Sequence, residues 1–423
     1  MTPKRLILRS AVLIDGTGYP AIRDAEVLLE GGVIRGVGKS GEHPATGCQI
    51  VDFGQSTILP GLIDTHVHLQ FDAGKTTEGI IRRQVAATDA QLAMRALSHA
   101  QSALAAGVTT LRDCGGRMAL NVPVREAIDS GRSPGPRLLV SGAPITTTSG
   151  HLHWCGLTAD SEDEVRVAVR RMVVAGADFI KVMATGGGMT PISNLKRPQY
   201  TRQTLTALVE DANRLNKRVA AHTLGADGCE YAIDAGVNTF EHFRWTGGDG
   251  LDYRPDAIDR MDPETQSINA TYTGFDRGRF DGPGSLDAVP SELIEGLRDE
   301  YAFYRDADSR GVEVTSSSDA GVANVDFADF ALSVIAGMVA LDDTPEGAIR
   351  RATSAQAKTL GLAAEIGSIK PGMRADLLVV EGDASKNIFA LRNPRSVYQD
   401  GVEVAKAGRL LTITASDAVR DCD

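Results

Sequence analysis

The sequence predicts a (β/α)8 barrel, the TIM-barrel architecture, carrying a small β-sandwich built from both ends of the chain. Eight strand candidates alternate with amphipathic helical patterns across about 300 central residues, a rhythm that favours a closed parallel barrel over a doubly wound sheet. Gly107, Gly176, Gly236 and Gly311 each end a helical pattern just before a strand candidate, where a helix-to-strand connection needs a left-handed residue. The two flanks differ from this middle: both are strand-rich and punctuated by turns.

The first flank, residues 1–59, holds β-rich runs at Leu6–Leu8, Ala11–Ile14, Glu26–Glu30 and Val33–Val37, broken by Asp15-Gly16-Thr17-Gly18 and Gly31-Gly32. The last flank, 363–423, has the same texture at Asp376–Val380, Val397-Tyr398 and Val402–Val404. Neither is large enough to bury a core alone, so one shared sandwich is expected, with two separate edge hairpins as the alternative. In the barrel, 60–362, the strand candidates are Gly61–His66, Val108–Arg112, Arg137–Ser141, Phe179–Met183, Arg218–His222, Asn238–His242, Asn269–Thr273 and Val312–Ser316. Helices are expected over Thr88–Ala105, Glu162–Val174, Arg202–Leu215 and Asp227–Ala235, the second opened by a Ser161/Glu164 capping box. Polar segments at Gln70–Thr88, Gly186–Tyr200 and Thr246–Pro290 follow strands, on the face where barrel enzymes place active-site loops. No Gly-rich phosphate fingerprint opens the first strand-to-helix turn.

Charge and composition narrow the function. With 55 acidic against 44 basic residues, the net charge of −11 speaks against nucleic-acid binding. Five scattered cysteines, an odd number without a CxxC pair, argue against a disulfide framework and for a reducing compartment. The basic start lacks a signal-peptide apolar region and no run approaches a membrane span, so a cytoplasmic protein with no membrane partner is expected.

Four of the eight histidines fall at strand ends. His66 and His68 are an i, i+2 pair, so their imidazoles point the same way and can meet one ion at the barrel mouth. His222 closes the fifth strand candidate, His242 the sixth, and Asp319 follows the eighth. Lys181 lies within the apolar fourth strand. Each alone reads as readily as packing, while the set reads as a metal site. Imidazole and carboxylate ligands suit several divalent transition ions without selecting one. A lysine ammonium would be repelled by a cation, but its carbamate is an anionic ligand able to bridge two ions.

These segments resemble the amidohydrolase superfamily of metal-dependent hydrolases, in the branch of imidazolonepropionase-like enzymes and Xaa-Pro or Xaa-Lys/Arg dipeptidases. The resemblance is carried by Leu59–His68, Gly107–Asp113, Lys181–Gly187, Ala220–His222, Phe240–His242, Asp319–Gly321 and Gly367–Leu377, in order and over nearly the whole chain. It implies a binuclear centre, usually zinc. His66, His68 and Asp319 would hold the buried ion and His222 and His242 the outer one, with N6-carboxylysine at Lys181 and a hydroxide bridging them. Asp319 would move the proton from the nucleophile to the leaving nitrogen. The resemblance also implies a homo-oligomer.

Specificity is carried by less. In resembling enzymes a Gly-His such as Gly150-His151 often contacts substrate, so His151 is expected to orient the carbonyl. His153 is a second candidate contact, with loop packing as its alternative. Dipeptidases of this branch commonly carry His-x-Tyr where this chain has His222-Thr223-Leu224, which tilts the expectation toward a neutral substrate with Leu224 beside it. Tyr200 is a substitute donor, Lys196 and Arg197 a possible carboxylate clamp, and Trp245, Tyr272 and Phe275 an aromatic wall or barrel-top packing. Cys114 and Cys155 show no sign of nucleophilic chemistry. The expected activity is hydrolysis of an amide, urea or carbamate C–N bond in a small molecule. The alternatives are a dipeptidase or N-acyl-amino-acid hydrolase and, from another class, a non-catalytic metal-stabilised scaffold.

Overall fold

The computed structural model describes residues 5–272 and 274–412, apart from the side chain of Phe275. Phe275 as part of an aromatic wall, and Cys422, therefore lie outside what is described. Five strands precede the barrel: β1 (Arg5–Leu13), β2 (Ile22–Glu30), β3 (Val33–Lys39), β4 (Cys48–Asp52) and β5 (Ser56–Pro60). The barrel region contributes β6 (Leu62–Val67), β7 (Val108–Asp113), β8 (Arg137–Val140), the short β9 (Ile145–Thr146) and β10 (Leu157–Thr158), then β11 (Ile180–Met183) and β12 (Val219–Gly225). It ends with β13 (Thr239–Thr246), β14 (Ser267–Thr271) and β15 (Glu313–Ser317). Four strands follow: β16 (Leu377–Glu381), β17 (Pro394–Gln399), β18 (Val402–Lys406) and β19 (Arg409–Leu410).

Both chain ends enter one nine-stranded sheet, ordered β19-β18-β17-β16-β5-β1-β2-β3 with β4 on β1. The join is the antiparallel pair β5–β16, with Leu59 opposite Leu378 and Ile58 opposite Val379. This removes the alternative of two separate hairpins. Strand alternation then divides the burial. Leu377 and Val379 pack with Leu6, Leu8, Val27 and Phe53 in a small core, while Leu378 and Val380 belong to the main core.

All eight barrel strands form where the sequence predicts them, within a few residues. They pair in parallel as β6-β7-β8 and, through β9, as β11-β12-β13-β14-β15. Backbone bonds close the ring. Asp319 N donates to His66 O (2.8 Å), His68 N to Ala320 O (2.8 Å) and Asp178 N to Val140 O (2.8 Å). The four helix-stop glycines have φ of +100°, +94°, +79° and +91°, a region costly for any residue with a Cβ. The Ser161/Glu164 capping box is formed at the start of helix Glu162–Val174. Helix Phe330–Leu341, apolar on every side, is buried along its length against the barrel.

One expectation needs correction. Thr246–Pro290 is not a single insertion, because β14 crosses it. This is the predicted seventh barrel strand, in which the buried Ile268 and Ala270 alternate with buried polar residues. Cys48, Cys114, Cys155 and Cys229 are unpaired. Among the described residues no helix is long and apolar enough to cross a membrane.

Candidate metal centre

His66, His68 and Asp319 stand at or just beyond the C-terminal ends of parallel strands, and Lys181, His222 and His242 within them, which a barrel gathers around one mouth. His66 Nε2 lies 3.5 Å and His68 Nε2 3.6 Å from Asp319 Oδ1. One ligand atom from each of these three residues lies within 4.8 Å of the others. Lys181, 1% exposed, brings Nζ to 3.3 Å from His66 Nε2. The His242 ring is centred 4.9 Å from that of His66 and 4.7 Å from that of His222, so the six side chains form one continuous cluster. Backbone strain marks the same place. His242 and Asp319 have φ of +67° and +58°, and the β12–β13 pairing slips just beyond Thr223. Such conformations persist only where surrounding contacts impose them.

Those contacts lie one layer out. His68 Nδ1 is 2.8 Å from Gly115 O, and His242 Nδ1 pairs with Thr271 Oγ1, so each ring can turn Nε2 inward. His222 Nε2 is 3.2 Å from Gly186 O. His66 Nδ1 approaches Glu241 Oε2 to 2.9 Å. Glu241 is itself held by Arg112 Nη2 (2.6 Å), Thr239 Oγ1 (3.0 Å) and Asn269 Nδ2 (3.2 Å). Asp64 accepts from Ser318 N (3.1 Å) and from its hydroxyl, tying β6 to the turn that presents Asp319. Sequence reasoning assigned Glu241 and Arg112 no role. The available signal was two charges of opposite sign in strands otherwise built to be buried, since such charges need partners.

The electrostatics favour neutral rings. Burial, followed by the Lys181 charge and opposed by Glu241, lowers His66 to about 4. Burial and neighbouring rings hold His68, His222 and His242 well below the ordinary histidine value. The Asp319 carboxyl is pushed up to about 7 by burial, with Lys181 pulling the other way. Asp319 Oδ1 is buried without a hydrogen-bond partner while two imidazole nitrogens face it. A buried acceptor left in that state is costly, and a divalent cation would satisfy all three atoms together. The donor set therefore fits a metal.

The predicted substrate contacts separate into two groups. His151 joins the cluster: it is buried, its ring is 4.4 Å from that of His222, and burial lowers it to about 3. Leu224 is half-buried, its N–H bonded to Thr185 Oγ1 (3.0 Å). His153 is exposed, with Nδ1 2.9 Å from Gly150 O, which matches the loop-packing alternative. The Tyr200 hydroxyl is committed to Ala159 O (3.0 Å) and is no free donor at the mouth. Trp245 is fully buried between Phe243 and Tyr253, and Tyr272 lies against Tyr301, so both are core because packing claims their whole surface. The aromatic beside the cluster is Phe71, stacked on His68 at 4.8 Å and followed by Trp154 at 5.2 Å. Lys196 Nζ is bonded to Gly248 O (2.7 Å) rather than poised as a clamp. Burial pushes the Cys114 thiol up to about 12 and Cys155 higher still, which suits inert thiols.

Comparison with known proteins matches residues 57–404 to the model of the amidohydrolase family. An ochratoxinase from Aspergillus niger is 27% identical over 96% of this chain and 86% of its own. An imidazolonepropionase from Salinispora tropica is 26% identical over 90% of this chain and 92% of its own. A solved Xaa-Pro dipeptidase with methionine bound in its active site superposes with a TM-score of 0.79. It is 26% identical, with 95% of this chain and 99% of that one covered.

Proposed function

The chain belongs to the amidohydrolase family, and from that membership and the geometry of its mouth we propose that it hydrolyses a C–N bond of a small molecule. The observation that carries this is the buried, unpartnered Asp319 Oδ1 facing His66 and His68. In this reading His66, His68 and Asp319 hold one divalent ion, zinc by preference. His222 and His242 would hold a second, with Lys181 as a further ligand in its carbamate form. Bound there, divalent metal supplies Lewis acidity and lowers the pKa of water toward neutrality. Lys181 serves as its carbamate, because a bare ammonium would oppose the cations. Asp319 accepts the proton of the attacking water and returns it to the leaving nitrogen, which must be protonated to depart. His151 donates to the substrate carbonyl from beside His222. Phe71 and Trp154 shield that side from bulk water.

Two substrate classes fit. Thr223-Leu224 after His222 supports a neutral amide, urea or carbamate. A dipeptide or N-acyl amino acid is the second reading, favoured by the Xaa-Pro dipeptidase likeness and by a buried arginine at the mouth, Arg277.

Elemental analysis beside a screen of anilides, phenylureas, carbamates, dipeptides and N-acyl amino acids tests the proposal. Chelation should abolish turnover and divalent ion restore it. Asp319→Asn should lower kcat by about 1,000-fold with the fold intact. A metal-free active enzyme, or an Asp319→Asn variant as fast as the parent, overturns the reading. A scaffold would show bound metal and no turnover with any class.

A further inference from the structure

Arg277 stands on the short helix Gly274–Gly278 that follows β14, on the same end of the barrel as the metal-ligand cluster. It is 2% exposed, yet among the described residues its only hydrogen bond is from Nη2 to Asp329 O (2.7 Å). Nε and Nη1 are buried without a partner. Among the described residues no carboxylate comes within ion-pair distance of it, although the charges of Asp329, Asp64, Asp319 and Asp326 all act on it. Every other strongly buried arginine here is differently placed: Arg112 is paired with Glu241, and Arg351 with Asp308 and Asp343. A guanidinium stays charged in a protein, and burying one unpaired costs several kcal/mol. Its surroundings therefore call for an anion that this chain does not itself bring into contact.

From this we infer that Arg277 is the receiving group for an anionic substituent of the substrate, a carboxylate near the scissile C–N bond. The inference rests on the C–N hydrolase reading and chooses within it. It favours N-acyl amino acids and dipeptides over the neutral class that Thr223-Leu224 suggests. Arg277 would take the part that a tyrosine in a His-x-Tyr pattern would otherwise play, from β14 rather than β12. A planar guanidinium with open N–H groups suits a carboxylate, and in a dry site a charge-assisted bond is strong and selective. The competing role is structural: a fixed positive charge that merely balances Asp64 and Asp319.

The test pairs a panel of N-acetyl amino acids with their C-terminal amides, which keep the shape and lose the charge. In the metal-loaded parent the acids should be preferred in kcat/KM by about 100-fold. Arg277→Met should erase that preference through the acids, leaving the amides within about threefold, and Arg277→Lys should keep part of it. Equal losses on acids and amides, or a parent that prefers the amides, overturns the inference in favour of the structural role. If the parent turns over neither series and none of the anilides, phenylureas, carbamates or dipeptides either, the hydrolase reading is what has failed; if it turns over only the neutral classes, the inference is overturned and that reading stands. Calorimetric binding of N-acetylleucine then judges Arg277 separately: binding lost in Arg277→Met and partly kept in Arg277→Lys supports the subsite, and binding unchanged in both overturns it.

Discussion

His66 and His151 both sit at the barrel mouth, but they arrive there by different means. His66 is on β6, whose backbone is paired with β7 on one side and bonded through His66 O to Asp319 N on the other. His151 is on a loop after β9 and is held by side chains of β9 and of a second loop. Its N–H meets Gln199 Oε1, its carbonyl accepts from Thr146 Oγ1 (2.7 Å), and Leu152 N donates to Thr190 Oγ1 (3.1 Å). Gly187 lies so close to the ring that a Cβ there would stand 2.5 Å from Cε1. The His66 side of the mouth is thus built by strand periodicity, and the His151 side by contacts between distant loops. A strand end tolerates little choice about which side chain points inward. A loop admits many, and only its particular partners settle the matter.

Trp245 offers the sharpest break of this comparison, because it follows the candidate ligand His242 on the same strand yet belongs to the core. Trp245→Ala should cost about 4 kcal/mol of stability, the usual loss for a large buried aromatic. KM for any substrate should change little. Measured by urea unfolding beside steady-state kinetics, a small stability loss with a large KM effect would return Trp245 to the mouth.

This contrast also explains what could be read without coordinates. The eight strands, the four helix-stop glycines and the shared direction of His66 and His68 follow periods of two or local backbone demands, while Lys181, His222, His242 and Asp319 join them through the predicted barrel and the resemblance of their motifs. Those signals are written in neighbouring residues. For Tyr200 and Trp245 the sequence carries no mark of which way the ring faces: Trp245 takes the packing alternative, and Tyr200 is not a donor at the mouth. Tyr200 turns to Ala159, which is 41 residues away in the chain. Phe71 and Arg277 were passed over for the same reason: each acquires meaning only from a neighbour that folding supplies.

Glu241 sharpens the comparison from the strand side. Its carboxylate, fixed by Arg112, Thr239 and Asn269, approaches the outer nitrogen of His66, and in the proposed reading it steadies that ring. Glu241→Gln keeps the shape but removes the charge facing both His66 and Arg112. Metal affinity, followed by chelator competition on the purified protein, should fall by about 10–100-fold. At saturating metal kcat should largely recover. An unchanged affinity would mean that strand geometry alone orients His66.

The smallest effect belongs to His153, two residues beyond His151 in the same loop. The i, i+2 relation that unites His66 and His68 does not carry over, because the chain here turns rather than extends. Leu152 has φ of +56°, and His153 N donates back to Gly150 O (3.1 Å). The turn sends the His153 ring to solvent, with Nδ1 beside the same carbonyl. Removing an exposed side chain with one local bond shifts stability by no more than about 0.5 kcal/mol. His153→Ala should therefore leave kcat/KM within about twofold, while His151→Ala, in contact with His222, should lower it strongly. Equal losses in the two variants would show that this loop rearranges to bring both histidines onto the substrate, and the distinction drawn between strand and loop would then hold only for the ligands.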